Sequence, residues 1–151
     1  KIYLENEKKT EALNLLIDNI YANNSAYSTL SFFLIMDQNL ISDTKEISNL
    51  FNHIIKNNNF KDDFKSLIIY KKSLFYSNFA SELELIESTK PLLNSNSVWK
   101  PQALILLGDY FVEKKEYSKA KDFYTQLLKI ENLDQNLFEY VILRLAKIDN
   151  E

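Results

Sequence analysis

The chain has 151 residues, 46% of them hydrophobic and 26% charged, which supplies enough apolar material for a folded core and too much for disorder. One Gly, two Pro and no Cys exclude glycine-rich phosphate loops, most hairpins, strained nucleophile elbows, disulfides and thiolate metal sites. Eighteen basic against 21 acidic residues give a net charge of −3, and Arg144 is the only arginine, so a nucleic-acid partner is disfavoured.

Polar, Asn-rich breaks divide the sequence. Residues 1–7 predict a partial helix, followed by helices near 9–22, 26–38, 44–57, 61–77, 81–93, 98–114, 117–130 and 134–149. Asn23-Asn24-Ser25 reads as a turn between the first two, although it formally matches a glycosylation acceptor. Ala12, Leu13, Leu16, Ile17 and Ile20 predict one core layer, and Leu30, Phe33, Ile35, Ile47, Leu50, Phe51, Ile54 and Ile55 the next. Asp43 with Glu46, and Ser81 with Glu84, have the spacing of a capping box, in which each partner satisfies the other's amide. Pro101 falls in a first helical turn, where its missing N–H costs least, whereas Pro91 is expected to end or kink its helix.

The breaks recur. Ser25, Lys61, Ser97 and Asp134, the first residues after four of them, stand 36, 36 and 37 residues apart, and each interval holds two helices. A period in the mid-thirties with one helix pair per unit predicts a single all-α domain over 1–151, an α-solenoid of tetratricopeptide-like antiparallel pairs wound as a right-handed superhelix. Its units lie near 1–24, 25–60, 61–96 and 97–133, with a capping helix at 134–149. The sharpest unit is 101–134. There Gly108 and Ala120 are the small residues that let paired backbones approach, and Leu104, Leu107, Phe111 and Tyr124 fill the seam. Ile105, Leu106, Tyr110 and Val112 make the first helix apolar nearly all round, so it must touch several neighbours. Lys119, Lys121, Asp122 and Lys129 keep its partner helix wet on one side.

Upstream the pattern weakens. Phe64, Leu67, Tyr70 and Leu74 match the later helix at an interval of 37, but this puts Lys71 opposite Gly108. Either the repeat is degenerate there, with the lysine stem reaching outward, or the register is off by one or two.

Candidate chemistry is sparse. His53 is the only histidine and has Asn49 and Asn57, not ligands, one turn away; it reads as a surface or rim histidine. Asp62-Asp63 and Glu82, Glu84 and Glu87 stand in first turns, where carboxylates favour the helix dipole. No catalytic residue, metal site or cofactor is expected. A concave solenoid face would instead take an extended peptide or a partner helix. Its predicted residues are Gln102, Ile105, Asp109 and Val112 and, 37 positions earlier, Lys65, Ile68, Lys72 and Phe75.

The run Ser25-Ala26-Tyr27-Ser28-Thr29-Leu30-Ser31, the helix Phe64 to Tyr76, Val98-Trp99 leading into Ala103-Leu104 and Leu107-Gly108-Asp109, then Tyr117 with Ala120, and the last helix from Asn136 to Ile148 resemble the tetratricopeptide-like domain of the bacterial ancillary SecYEG translocon subunits. The resemblance implies a membrane anchor ahead of Lys1, a periplasmic location on the inner membrane, and a role beside the secretion channel or with periplasmic chaperones. The sequence has no apolar run of the roughly 18 residues needed to span a bilayer. The competing expectations are a self-associating scaffold, a homodimer built on the end helices, and a cytoplasmic tetratricopeptide adaptor.

Overall fold

The structure is a computed structural model that describes residues 8–150. The helix expected at 1–7 lies outside the described residues. Among those described there are eight helices and no strand: α1 Lys8–Tyr21, α2 Ser25–Asp37, α3 Thr44–Asn57, α4 Asp62–Tyr76, α5 Glu82–Leu93, α6 Lys100–Glu113, α7 Tyr117–Leu128 and α8 Gln135–Ile148. The chain divides between Lys61 and Asp62 into two compact units.

Local chemistry accounts for the helix ends. Asn24 caps α2 by accepting from Tyr27 N at 3.2 Å, and Asp134 caps α8 by accepting from Asn136 N at 2.9 Å. At α5 the full capping box forms, with Ser81 N donating to Glu84 at 2.9 Å and Glu84 N donating to Ser81 Oγ at 3.3 Å. At α3 the expected box with Glu46 does not form, and Asp43 caps the helix by accepting from Lys45 N at 2.8 Å. Pro91 does not end α5, which continues to Leu93. It sits in the last turn, and its missing N–H deprives one carbonyl, that of Glu87, of its intrahelical donor.

With its one glycine used elsewhere, the chain hands its left-handed turns to Asn23, Asn39, Lys115 and Asn132, with φ between 48° and 60°. After α2 and α6 these turns are Schellman motifs: Leu40 N donates to Ile35 O at 3.0 Å and Glu116 N to Phe111 O at 2.8 Å.

In the first unit α2 packs most extensively on α1, whereas the break spacing pairs it with α3. Small buried residues make the difference. Ser28 and Ser31 are enclosed, and the Ser28 hydroxyl lies 3.0 and 3.1 Å from the carbonyl oxygens of Asn19 and Ile20 at the end of α1. The core here is Ile20, Phe32, Ile35, Ile41, Ile47, Leu50, Phe51 and Ile54, with Phe32 edge-on to Phe51 at 4.4 Å. Leu30, expected inside, is 65% exposed, and Phe32 takes the core position.

In the second unit α4 pairs with α5 and α6 with α7, while α6 also packs against α4, α5 and α8. That is the many-sided environment its apolar surface predicts. Leu104, Leu107, Phe111, Ala120, Tyr124 and Leu127 are all fully buried. A Cβ placed on Gly108 would stand 2.3 Å from Tyr124 Cε1, so the ring lies directly on the glycine backbone. The wet side of α7 is as expected: Lys119 reaches both Glu82 at 2.7 Å and Glu116 at 2.6 Å, and Lys121 pairs with Asp149.

Candidate functional site

The residues predicted for a partner face separate into two groups. Those of α6 hold together: Gln102, Ile105, Asp109 and Val112 are all half-buried along one side of the helix. Those of α4 do not join them. Ile68 is wholly buried, Lys65 lines a depression shared with Pro91 and Ser95, and Lys72 faces Leu83, Glu84 and Glu87 of α5. Phase explains this. The small residue of α4 is Ser73, fully buried and within 2.9 Å of Ser88 Oγ on α5, so it occupies the place of Gly108 at an interval of 35 rather than 37. Counted so, Tyr76 matches Phe111, Ile69 matches Leu104, and Tyr70 matches Ile105. Phe64 and Leu74, expected in the seam, are each 40% exposed for the same reason, and Lys71 points outward.

Tyr70 is therefore the α4 residue on the side of Asp109. Its ring stacks on Trp99 at 5.3 Å, and burial, then the negative charge of Asp109, push its phenol above the ordinary value. Lys72, by contrast, is pulled below the ordinary lysine range by burial alone, while its ammonium sits 5.1 Å from the Tyr76 ring.

Asp109 is the centre of the site. Its Oδ1 accepts from Tyr124 OH at 2.5 Å and its Oδ2 from Tyr140 OH at 2.7 Å, while Arg144 Nε lies 3.6 Å away. Arg144 Nε donates to Tyr140 OH at 2.9 Å, so that hydroxyl receives a proton bond from the arginine as it gives one to the aspartate. The guanidinium lies 5.0 Å from the centre of the Tyr140 ring. One carboxylate thus ties α6, α7 and α8. Burial and the Asp109 hydrogen bond raise both Tyr124 and Tyr140, and the bond to Tyr140 raises Arg144. The raised phenols act as hydrogen-bond donors to the carboxylate.

Sequence reasoning placed Asp109 on the face and Tyr124 in the seam but missed Tyr140 and Arg144. The available signal was their i, i+4 spacing on α8 and the solitary arginine. His53 is part of the first unit's packing. Its Nε2 lies 2.8 Å from Asn23 Oδ1, its Nδ1 3.1 Å from Asn57 Nδ2, and the Tyr21 ring meets it edge-on at 4.5 Å. Asn57 also donates to the His53 carbonyl, which assigns its amide nitrogen to this side.

An open depression of about 770 Å³ lies between the α5–α6 and α7–α8 connections, lined by Val98, Lys100, Pro101, Lys129 and Ile130 among others. It includes none of the predicted residues. No cluster of potential metal ligands occurs among the described residues, and no helix there is long and apolar enough to cross a membrane. No family model matches the sequence, and comparisons with curated proteins and with solved structures return no similar one.

Proposed function

We propose that the chain is a non-enzymatic protein-interaction module, a tetratricopeptide-like superhelix whose second unit offers the α6 side of its helix wall to a peptide or a partner helix. The observation that carries this reading is the half-buried row Gln102, Ile105, Asp109 and Val112, flanked by Tyr70 with Trp99 on one side and Tyr140 with Arg144 on the other. Aromatic and apolar side chains here alternate with fixed polar groups on packed helices, which is the chemistry of a recognition surface. Asp109, Tyr140 and Arg144 are committed to one another and hold shape, while Gln102 Oε1 is buried without a hydrogen-bond partner. On this reading Lys65, Lys72 and Phe75 are peripheral and Ile68 is core.

A photo-crosslinking residue at position 105 or 112, and a control at Asp122 on the wet side of α7, tests it in cells. Partner adducts from 105 and 112 and none from 122 support the face. Adducts confined to 122 overturn it. The resemblance to ancillary SecYEG translocon subunits adds a narrower proposal, a tethered periplasmic module beside the secretion channel, for which the adducts from 105 would contain channel subunits or periplasmic chaperones.

A second reading, self-association, is favoured by the outer stripe of α8, where Phe138 is 42%, Ile142 43% and Leu143 71% exposed. Light scattering separates the two, because a mass independent of concentration removes the scaffold.

A further inference from the structure

The helices of the second unit are held by different means. Helix α6 encloses Ala103, Leu104, Leu107, Gly108, Tyr110 and Phe111, and α7 encloses Ala120, Tyr124 and Leu127. Helix α8, with the same length as α6, encloses only Val141 and Ile148. Leu145 and Tyr140 pack against the core at partial exposure, while Phe138, Ile142 and Leu143 stay open. Apolar burial therefore attaches α8 more weakly than it holds α6, and somewhat more weakly than α7. What it has in addition is polar. Tyr140 and Arg144 both engage Asp109 on α6, and Asp149, at its C-terminal end, pairs with Lys121 across half-exposed surface, a bond of small worth.

We propose that α8 is a latched helix that opens as a unit while α6 and α7 remain folded, with Asp109, Tyr140 and Arg144 as its latch. When it opens, Asp109 keeps Tyr124 and loses its other two partners, so the carboxylate exists in a fully engaged form and in a form with a free acceptor. Tyr124 belongs to the other side of the node. Its ring rests on Gly108 and its hydroxyl ties α7 to α6. The latch and the α6–α7 seam thus share an acceptor but can be cut separately. Regions that open below the global unfolding free energy are those with few buried apolar contacts, and α8 fits that description. The inference stands whether or not a partner occupies the face.

Native-state hydrogen exchange read by mass spectrometry on the full chain tests it, with Tyr140→Phe, Arg144→Gln and, as a control, Tyr124→Phe. In the unmodified protein α8 amides are expected to exchange at least tenfold faster than those of α6 and α7. Tyr140→Phe and Arg144→Gln should speed α8 by about a further tenfold and leave α6 and α7 within twofold, whereas Tyr124→Phe should speed α6 and α7 as well. Exchange of α8 at the α6 rate in the unmodified protein overturns the proposal. So does equal acceleration of all three helices by the latch substitutions, or loss of the whole unit's fold on making them.

Discussion

Replacing Gly108 by alanine pits two effects of opposite sign against each other. Alanine favours a helix interior by about 1 kcal/mol over glycine. Its methyl group, however, would fall 2.3, 2.6 and 2.7 Å from three carbons of the Tyr124 ring. Overpacking of a dense core costs roughly 1–3 kcal/mol. The ring cannot slide away freely, because Tyr124 is fully buried and its hydroxyl is held 2.5 Å from Asp109. Relief by displacement sacrifices a hydrogen bond to a charged group, worth about 1.5–3 kcal/mol. The net expectation is a loss of about 3 kcal/mol, which in a protein of this size lowers the melting temperature by roughly 6–12 °C. Urea and thermal unfolding followed by circular dichroism measure it. In a Tyr124→Phe background, where the ring is no longer tethered, the same glycine substitution should cost about half as much. An alanine variant as stable as the parent, or more stable, would show that the ring does not rest on that backbone and would refute the packing described for α6 and α7.

Three other expectations follow from particular residues. Ser73→Leu should destabilise by about 2–3 kcal/mol while Lys71→Leu stays within about 0.5 kcal/mol, and the reverse order in urea midpoints would restore the 37-residue register. Lys115, at φ 60° in a Schellman turn, should accept glycine with a gain of about 1 kcal/mol, seen as a higher urea midpoint at unchanged slope. The side-chain and backbone hydrogen bonds from Ser81 hold the Glu84 carboxyl below the usual range, so its contribution is present above the unfolded value of about 4.3 and is lost as pH falls through the lower folded value. The stability difference between the parent and Glu84→Gln should therefore stay flat from pH 5 to 8 and shrink on acidification below about pH 4; a difference that stays unchanged on acidification from pH 5 to below pH 4 would count against the capping role.

Helix positions were readable because the breaks carry their own chemistry. Asparagine, aspartate and serine cap and turn where the apolar period lapses, and all eight described helices lie within two residues of the expected bounds. Pairing was less readable. Counting from the breaks assumes that each helix begins at the same phase, but α4 has eleven residues before its small position and α6 only eight. Serine also serves as a cap, a turn former and a small core residue, so Ser73 did not announce its role whereas Gly108 did. In the first unit the seam between α1 and α2 depends on Ser28 bonding to carbonyls, a small-residue signal the interval count does not register. The polar centre was half legible. Asp109 and Tyr124 follow from the repeat, but their junction with Tyr140 and Arg144 depends on how α8 settles on α6, which no local pattern specifies.

Because a single carboxylate accepts from phenols on two other helices and faces the Arg144 guanidinium at 3.6 Å, the changes at this node are expected to be non-additive. Removing Asp109 strands a buried phenol and a cation together, whereas removing any one donor leaves the rest partly compensated, so the losses from single changes will not sum to the loss from several. Sequences that drift at one of these four positions will be under pressure to drift at the others, and a homologue lacking the aspartate should also have exchanged its tyrosines and arginine for purely apolar groups.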